Sequence, residues 1–304
     1  MLGKSVLKCF RSKKLPIREL KLFNIVILLG FFYQNSFSAI NDLIPSDYEP
    51  PLADSTVISL NYLTKELNTS TLSKDQYVKQ NTYALRYNYG FDIDGKILSL
   101  GFALPYSDLN TRGNTLSSYI GEKSTGLSDT VFSATYWLIN DKKSRDFLGF
   151  TITHYINDGK YNESQILNSG ENRDKTTLAI GYITKLSDDF LIELSPEIGF
   201  YGDNENSTSK IEQKNSYSLT SNLRYKPTKK YELFVGVQEN YLKETIVNGK
   251  EQNNDHSYQK YSLGGAYYTD KFDQFMIRFA TEADKEYGLK ADKEMLVRYR
   301  WWFK

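Results

Sequence analysis

The chain has 304 residues, a mean hydropathy of −0.52 and a formal net charge of +1. A sequence this polar excludes a bundle of membrane-spanning helices, because each such helix needs about 20 mostly apolar residues. Its 24 tyrosines and 17 phenylalanines, against 3 methionines and 7 prolines, favour β-structure, and the length suits one large β-domain.

The N-terminus has the layout of a secretory signal peptide. Residues 1–21 carry seven basic residues and one acid, and the apolar stretch 22–32 follows. Ser36-Phe37-Ser38-Ala39 then supplies a cleavage site of small residues, so we predict a signal peptide over 1–39. The apolar stretch is too short to span a bilayer, although the long basic region leaves an uncleaved anchor as the alternative.

Cleavage after residue 39 changes the chemistry of the chain. The one cysteine, Cys9, would be removed, and with it any disulfide, structural zinc site or thiol nucleophile. No cysteine follows the apolar stretch, which excludes a lipoprotein. The mature chain would keep 31 basic and 36 acidic residues, a net charge of −5, so we expect no nucleic-acid partner. We also predict no cofactor, metal or catalytic residue.

Residues 40–54, "INDLIPSDYEPPLAD", are rich in proline and acids, and we predict a short periplasmic lead-in. Beyond them, segments of about ten residues alternate apolar and polar side chains. In 190–201, for example, Ile192 and Leu194 share one face while Glu193 and Glu197 share the other. The twelve segments are about 55–65, 77–92, 96–106, 127–140, 146–157, 174–186, 189–202, 213–226, 230–243, 256–269, 271–282 and 291–303.

The connections between these segments alternate in length. Short turns such as 92–95 and 186–189 contain Asp and Gly, whereas 107–126 and 158–173 are long and polar. An even number of antiparallel strands, with short turns at one end and long loops at the other, is typical of outer-membrane barrels. We therefore predict an all-β fold over 55–304, a transmembrane antiparallel up-and-down β-barrel of about 12 strands. Both termini would lie in the periplasm.

Aromatic residues flank the short turns, where amphipathic rings prefer the membrane–water interface. The C-terminal "RYRWWFK" adds to this girdle, since Trp301 and Phe303 share the lipid-facing parity with Val297. The predicted girdle residues are Tyr89, Phe91, Tyr225, Tyr231, Phe272, Trp301 and Phe303.

Two features resemble known barrels. Outer-membrane barrels end in a strand with a terminal aromatic residue that the insertion machinery recognises, and this chain is similar, with Lys304 after Phe303. The segment 126–138, "GLSDTVFSATYWL", resembles the Gly-Leu-Gly-Asp strand opening of the transporter family named for the meta-pathway of phenol degradation, with Ser128 replacing the second glycine. The segment 147–162, here without the family's proline, and Asn248-Gly249 have counterparts there. The resemblance covers about 55–303 and implies an outer-membrane channel associated with uptake of small organic, often aromatic, compounds.

The remaining parity places charged and amide side chains in the barrel interior. A lumen with both signs of charge would select solutes by a transverse field and by hydrogen bonding. We expect passive passage of small solutes, and partners among outer-membrane lipids, lipopolysaccharide and the insertion machinery. The predicted lumen-lining residues are Arg86, Glu193, Glu197, Arg224, Glu232, Arg278, Arg298 and Arg300, with the amides Asn88, Asn222, Gln238 and Asn240.

Other interpretations of the same residues stay open. The charged lumen residues would fill the interior if they paired with one another, because twelve strands lie between a solid barrel and a wide pore. That barrel would be structural or serve surface interactions. The long loop 107–126 would either fold inward or stay a solvated surface loop. His154 lies on the lipid-facing parity and suggests a lipid hydrolase, but no serine in the pattern of such enzymes follows it.

Overall fold

A computed structural model describes residues 44–68, 75–207, 209–271 and 273–304. The predicted signal peptide and the predicted girdle residue Phe272 lie outside the described residues. In chain order the elements are β1 (Ser55–Asn68), β2 (Tyr77–Ile93), β3 (Lys96–Arg112), α1 (Asn114–Ile120), β4 (Lys123–Leu127), β5 (Thr130–Asp141), β6 (Asp146–Ile156), β7 (Lys175–Lys185), β8 (Phe190–Tyr201), β9 (Asn204–Glu205), β10 (Lys210–Gln213), β11 (Ser216–Tyr225), β12 (Tyr231–Leu242), β13 (Thr245–Val247), β14 (Lys250–Glu251), β15 (His256–Tyr268), β16 (Gln274–Ala283) and β17 (Lys290–Phe303).

Twelve of these strands form a closed antiparallel barrel, which confirms the predicted fold. Around the ring the order is β1, β2, β3, β5, β6, β7, β8, β11, β12, β15, β16 and β17. The first and last strands close it, with Thr56 opposite Phe303 and Asn61 opposite Arg298. Closure leaves no exposed strand edge, as a chain within a bilayer requires.

Alternation along each strand sorts side chains between the outside and the lumen. In β2, Leu85 on the outer face is 42% exposed, whereas Ala84 beside it is 3% exposed. The outer face of the barrel carries a broad band of exposed leucine, valine and aromatic side chains, which a bilayer stabilises and water does not. In the described part of the chain, no helix has the length and apolar character needed to cross a membrane.

The outward aromatic rings near the short turns pack against one another. Tyr89 contacts Phe91 with ring centroids 4.6 Å apart, and Tyr299 contacts Trp301 at 4.5 Å. Tyr225 packs on Phe190 at 4.9 Å and Tyr231 on Tyr267 at 5.4 Å. Two aromatic residues beside the second short turn differ, because Trp137 and Phe147 are 3% and 7% exposed and face inward.

The long-loop end of the barrel has structure of its own. The short strands β9, β10, β13 and β14, from two different loops, form a separate four-stranded sheet. The predicted loop 107–126 is largely ordered, since β3 continues to Arg112 and is followed by α1 and by β4, which pairs back on β3.

An apolar cluster packs at this end. Leu116 and Ile120 of α1 are fully buried there, together with Leu167 and Leu289 from two other long loops. We call this the outer apolar cluster; its members are Leu67, Val78, Leu109, Leu116, Ile120, Leu167, Leu289 and Ala291. Of the two alternatives for this loop, the helix therefore follows the inward one.

Candidate functional site: the barrel lumen

The chain immediately before β1 lies inside the lumen. Ile44, Ser46 and Tyr48 are each no more than 2% exposed. Ile44 packs in a buried cluster with Leu63 of β1 and Met276 of β16. Of the predicted periplasmic lead-in over 40–54, the structure thus places residues 44–51 within the lumen. We call residues 44–51 the inner segment.

Local hydrogen bonds and two prolines shape the inner segment. The Asp47 N–H donates to the Ile44 carbonyl at 3.0 Å, and the Glu49 N–H donates to the Ser46 carbonyl at 3.1 Å. These turns direct the side chains of Asp47 and Glu49 to opposite sides of the lumen. Pro50 and Pro51 then hold φ near −65°, which keeps the chain extended as it descends to β1 at the short-turn end.

Asp47 faces a positively charged wall. Its Oδ1 accepts from Arg298 Nη1 at 2.6 Å and from Arg300 Nη2 at 2.8 Å. Arg86 Nη1 lies 4.0 Å from Oδ2 of the same carboxylate. Arg298 also donates to Gln274 Oε1 at 2.8 Å. Because β17 and β2 flank β1, these three arginines form one basic patch, the positive wall (Arg86, Arg298 and Arg300).

Glu49 contacts a cluster of charged side chains on β8, β11 and β12. Arg224 of β11 is fully buried and donates from Nη2 to Glu49 Oε1 at 2.6 Å. The same guanidinium donates to Glu232 of β12 at 2.8 and 2.9 Å, and its Nη1 lies 3.7 Å from Glu193 of β8. Lys226 lies 3.7 Å from Glu232. Three carboxylates thus surround Arg224, whereas one carboxylate faces the positive wall.

Tyr48 anchors the middle of the inner segment. Trp137 Nε1 donates to the Tyr48 carbonyl at 2.9 Å, and Ser195 Oγ donates to the Tyr48 hydroxyl at 3.3 Å. The Tyr48 ring packs over Gly181 of β7 so closely that a Cβ on Gly181 would overlap it. The side chain of Trp137 therefore contributes to the lumen rather than to the girdle.

A cavity of about 160 Å³ remains beside the inner segment. Asp47, Arg86 and Arg300 line one side of it, and hydroxyl side chains of β5 and β6 line another. The inner segment therefore narrows the lumen and leaves space along one wall.

A second buried ionic cluster lies farther from the short turns. Glu294 of β17 accepts from Lys260 Nζ at 2.7 Å and from Arg278, and Lys65 Nζ lies 3.3 Å from it. Sequence reasoning included Arg278 among the lumen residues but missed Glu294, which has the same parity as Arg298 and Arg300.

The other predicted lumen residues also lie on inward-facing positions. Glu193, Glu232 and Asn222 are 2 to 3% exposed, and Glu197 lines the cavity. Asn88 lines the cavity too, and Gln238 and Asn240 are half-buried. A larger cavity, of about 460 Å³, lies among the long loops between α1 and Asn204.

His154 lies on the outer face of β6. Its Nδ1 is 2.9 Å from the hydroxyl oxygen of Thr176 on the neighbouring strand. Thr176 also lies at a lipid-facing position. The His154–Thr176 pair lacks the acidic side chain that orients the histidine in a catalytic triad. Within the described ranges, no three His, Cys, Asp or Glu side chains are arranged to hold a metal ion.

The segment 126–138 crosses between two strands. Gly126 and Leu127 belong to β4, and β5 begins at Thr130, three residues after the start of the predicted strand over 127–140. Asp129 lies at the crossing, 2% exposed, and accepts from the N–H groups of Gly159 at 3.1 Å and Glu171 at 2.9 Å. Burial, followed by the nearby Glu171 carboxylate, raises the pKa of Asp129 to about 7. Through its two hydrogen bonds to Gly159 and Glu171, Asp129 holds the long loop after β6 against the rim.

Comparisons with solved structures agree with this architecture. An outer membrane channel from Pseudomonas putida F1 is similar to the chain with a TM-score of 0.79 and 23% identity, over 86% of this chain and 100% of that one. The β-domain of the Bordetella autotransporter BrkA has a TM-score of 0.52 and 11% identity, over 82% of this chain and 99% of that one. At these identities the likeness concerns the fold. A search of curated proteins found no match.

The family comparison covers most of the barrel. A family model described as "Putative MetA-pathway of phenol degradation" matches residues 64–293, from the middle of β1 to the first part of β17. This range includes the crossing at Asp129, ten of the twelve barrel strands in full, and parts of β1 and β17. The chain therefore belongs to the family of the phenol-degradation MetA pathway.

Proposed function

We propose that the protein is an outer-membrane channel that lets small solutes pass through its lumen. The observation that carries this proposal is a closed twelve-stranded barrel with an apolar outer band and a charged interior that still contains a cavity. A bilayer-facing surface around a polar interior is the arrangement that conducts water-soluble molecules. The similar Pseudomonas putida structure, itself an outer membrane channel, supports the same function.

The inner segment occupies the lumen in this conformation. The inner segment fills the short-turn side, and the outer apolar cluster packs at the long-loop side. Conduction by this channel therefore requires the inner segment to move. It is suited to do so, because the ion pairs and hydrogen bonds that hold it can be replaced by water and ions as it leaves.

The orientation and partners of the barrel are part of the same proposal. With short turns toward the periplasm, the inner segment would guard the periplasmic mouth, and the sheet of β9, β10, β13 and β14 would face outward near lipopolysaccharide. The insertion machinery would recognise the last strand through Phe303. Solutes would pass by diffusion, without a cofactor or catalytic step.

A structural barrel without an open pore is the second candidate. It is favoured by the filled short-turn side, where Arg224 and its three carboxylates form a buried network. Such a network rigidifies a protein interior when its members are satisfied.

Conductance in a planar lipid bilayer distinguishes these candidates. The mature chain and a variant lacking residues 40–51 would be refolded, and folding would be verified by the heat-dependent shift of barrels in gel electrophoresis. The channel proposal predicts brief or small openings of the mature chain and long-lived, larger openings of the shortened chain. A folded but silent shortened chain would contradict the channel and favour the structural barrel.

A further inference from the structure

Two arginines of the positive wall share one carboxylate oxygen. Arg298 Nη1 and Arg300 Nη2 both bind Asp47 Oδ1, at 2.6 and 2.8 Å. The buried Nε atoms of Arg298 and Arg300 have no hydrogen-bond partner in the described part of the chain. A planar guanidinium binds a carboxylate best through two parallel N–H groups, and this geometry leaves that capacity unused on Arg300.

The exposed part of the positive wall faces the cavity beside the inner segment. The Arg298 side chain is 1% exposed, whereas those of Arg300 and Arg86 are 14% and 21% exposed. Both of the more exposed arginines line the 160 Å³ cavity, and so does Asp47. A solute in the cavity therefore reaches Arg300 and Arg86 directly, at the place where Asp47 now binds.

Most of the other residues that line the cavity are uncharged, and Glu49 and Glu197 are the acids among them. β5 and β6 contribute the hydroxyls of Ser133, Thr135, Thr151 and Thr153, and β7 contributes the small apolar side chain of Ala179. The Thr135 and Thr151 hydroxyls are 2.8 Å apart and hydrogen-bonded. A cavity of about 150 Å³ is enough to hold one benzene ring, so this one accepts a solute of that size.

Charge on the far side limits the charge of the solute. Glu197 of β8 lines the cavity, and β8 lies nearly opposite β1 in the ring. A second negative group on a solute bound to Arg300 would point toward this carboxylate. Like charges in a poorly solvated interior repel strongly, which favours a solute with a single negative charge.

We propose that this cavity binds a small monocarboxylate about the size of one six-membered ring, with its carboxylate on Arg300 and Arg86 in exchange for Asp47. The inference rests on the proposed channel function and names the solute class of that lumen. Exchange at the positive wall removes one of the two ionic anchors of the inner segment. Binding of the solute thereby loosens the segment that closes its own path.

Calorimetric titration of the mature chain in detergent micelles tests this proposal, with empty micelles as the reference. Benzoate is the probe, and benzamide is the uncharged molecule of nearly the same shape. We expect benzoate to bind and benzamide to bind at least tenfold more weakly. Arg300→Gln is expected to weaken benzoate binding about tenfold or more, since a hydrogen bond with a charged group is lost. Arg112→Gln, the same change at the exposed end of β3, should leave it unchanged.

The variant Asp47→Asn tests the direction of the change in benzoate affinity, which a merely structural role of Asp47 does not predict. Removing the internal carboxylate frees the positive wall, so benzoate should bind this variant severalfold more tightly. Absence of benzoate binding, equal affinities for benzoate and benzamide, an unaffected Arg300→Gln variant, or weaker binding by Asp47→Asn would each overturn the proposal. Conductance with neutral solutes is measured separately, so the channel function can stand while the carboxylate site fails.

Discussion

The contact between Glu49 and Arg224 allows the hold on the inner segment to be weakened without damaging the barrel. In Glu49→Gln the 2.6 Å bond from Arg224 Nη2 loses its charge. Arg224 keeps both hydrogen bonds to Glu232 and the nearby Glu193. The substitution therefore weakens the docking of the inner segment, while the buried guanidinium of Arg224 stays paired.

The magnitude follows from the type of bond. A hydrogen bond between charged groups contributes about 1.5–3 kcal/mol, and one with a neutral partner about half of that. Glu49 is 28% exposed, so solvent screening reduces the difference further. We expect a loss of about 1 kcal/mol, which is a roughly fivefold larger undocked population of the inner segment.

Amide hydrogen exchange of a peptide covering 44–54 measures this population. When closing is fast, the exchange rate is proportional to the fraction of open molecules. Asp54→Asn serves as the matched control, because it removes an acid from the same peptide at an exposed position. Equal exchange in wild type and Glu49→Gln, or an equal acceleration in Asp54→Asn, would refute the assignment of Glu49 as an anchor.

Three other changes test separate features. Gly181→Ala places a Cβ within the Tyr48 ring position, so we expect the inner segment to be displaced and conductance in planar bilayers to rise. Asp129 has a pKa of about 7 against an ordinary 3.8, so the folded rim binds the proton more tightly than the open loop does. The stability of the loop contact should thus fall as pH rises from about 4 to about 7 and then level off; in Asp129→Asn, exchange of 157–173, corrected for intrinsic rates, should lose this dependence. Leu116→Ala in the outer apolar cluster should cost about 2–5 kcal/mol of local stability, seen as faster exchange of 113–122 with the barrel strands unchanged.

Each of these has a clear contrary result. For Gly181, the comparison is Gly202→Ala just after β8, where a Cβ would approach other atoms no closer than 3.4 Å. Equal conductance of the two variants would mean that the Tyr48 ring moves aside on its own. An unaltered pH profile in Asp129→Asn would assign the titration to another group. Strands that exchange as fast as 113–122 in Leu116→Ala would show that the cluster supports the whole barrel.

The barrel itself could be predicted because its signal repeats at every strand. Alternation with a period of two places Leu85 outside and Ala84 inside, and the same rule applies to all twelve strands. Strand ends were less well determined, as β3 runs six residues beyond its predicted end at 106. The short strands β9, β10, β13 and β14 have two to four residues, too few for any period to show.

The inner segment could not be recognised from its local sequence. Prolines and acids at 44–51 are equally typical of a solvated extension, and its partners lie up to 253 residues away. One signal was present in the strands. Arg298 and Arg300 face inward on β17, whereas the neighbouring inward positions of β1 are Ser59 and Asn61. Two interior cations without an acid on the next strand point to a carboxylate from elsewhere.

The position of Asp47 also bears on the mechanical integrity of the barrel. Asp47 is joined through the backbone to β1 and bonded to β17, so it bridges the seam where the first and last strands meet. The contact that seals the lumen is therefore also a clasp across the one junction formed by strands at opposite ends of the chain. Opening the passage releases that clasp. A chain selected for easy opening would give up resistance to unfolding at its seam, and one selected for a firm seam would conduct less.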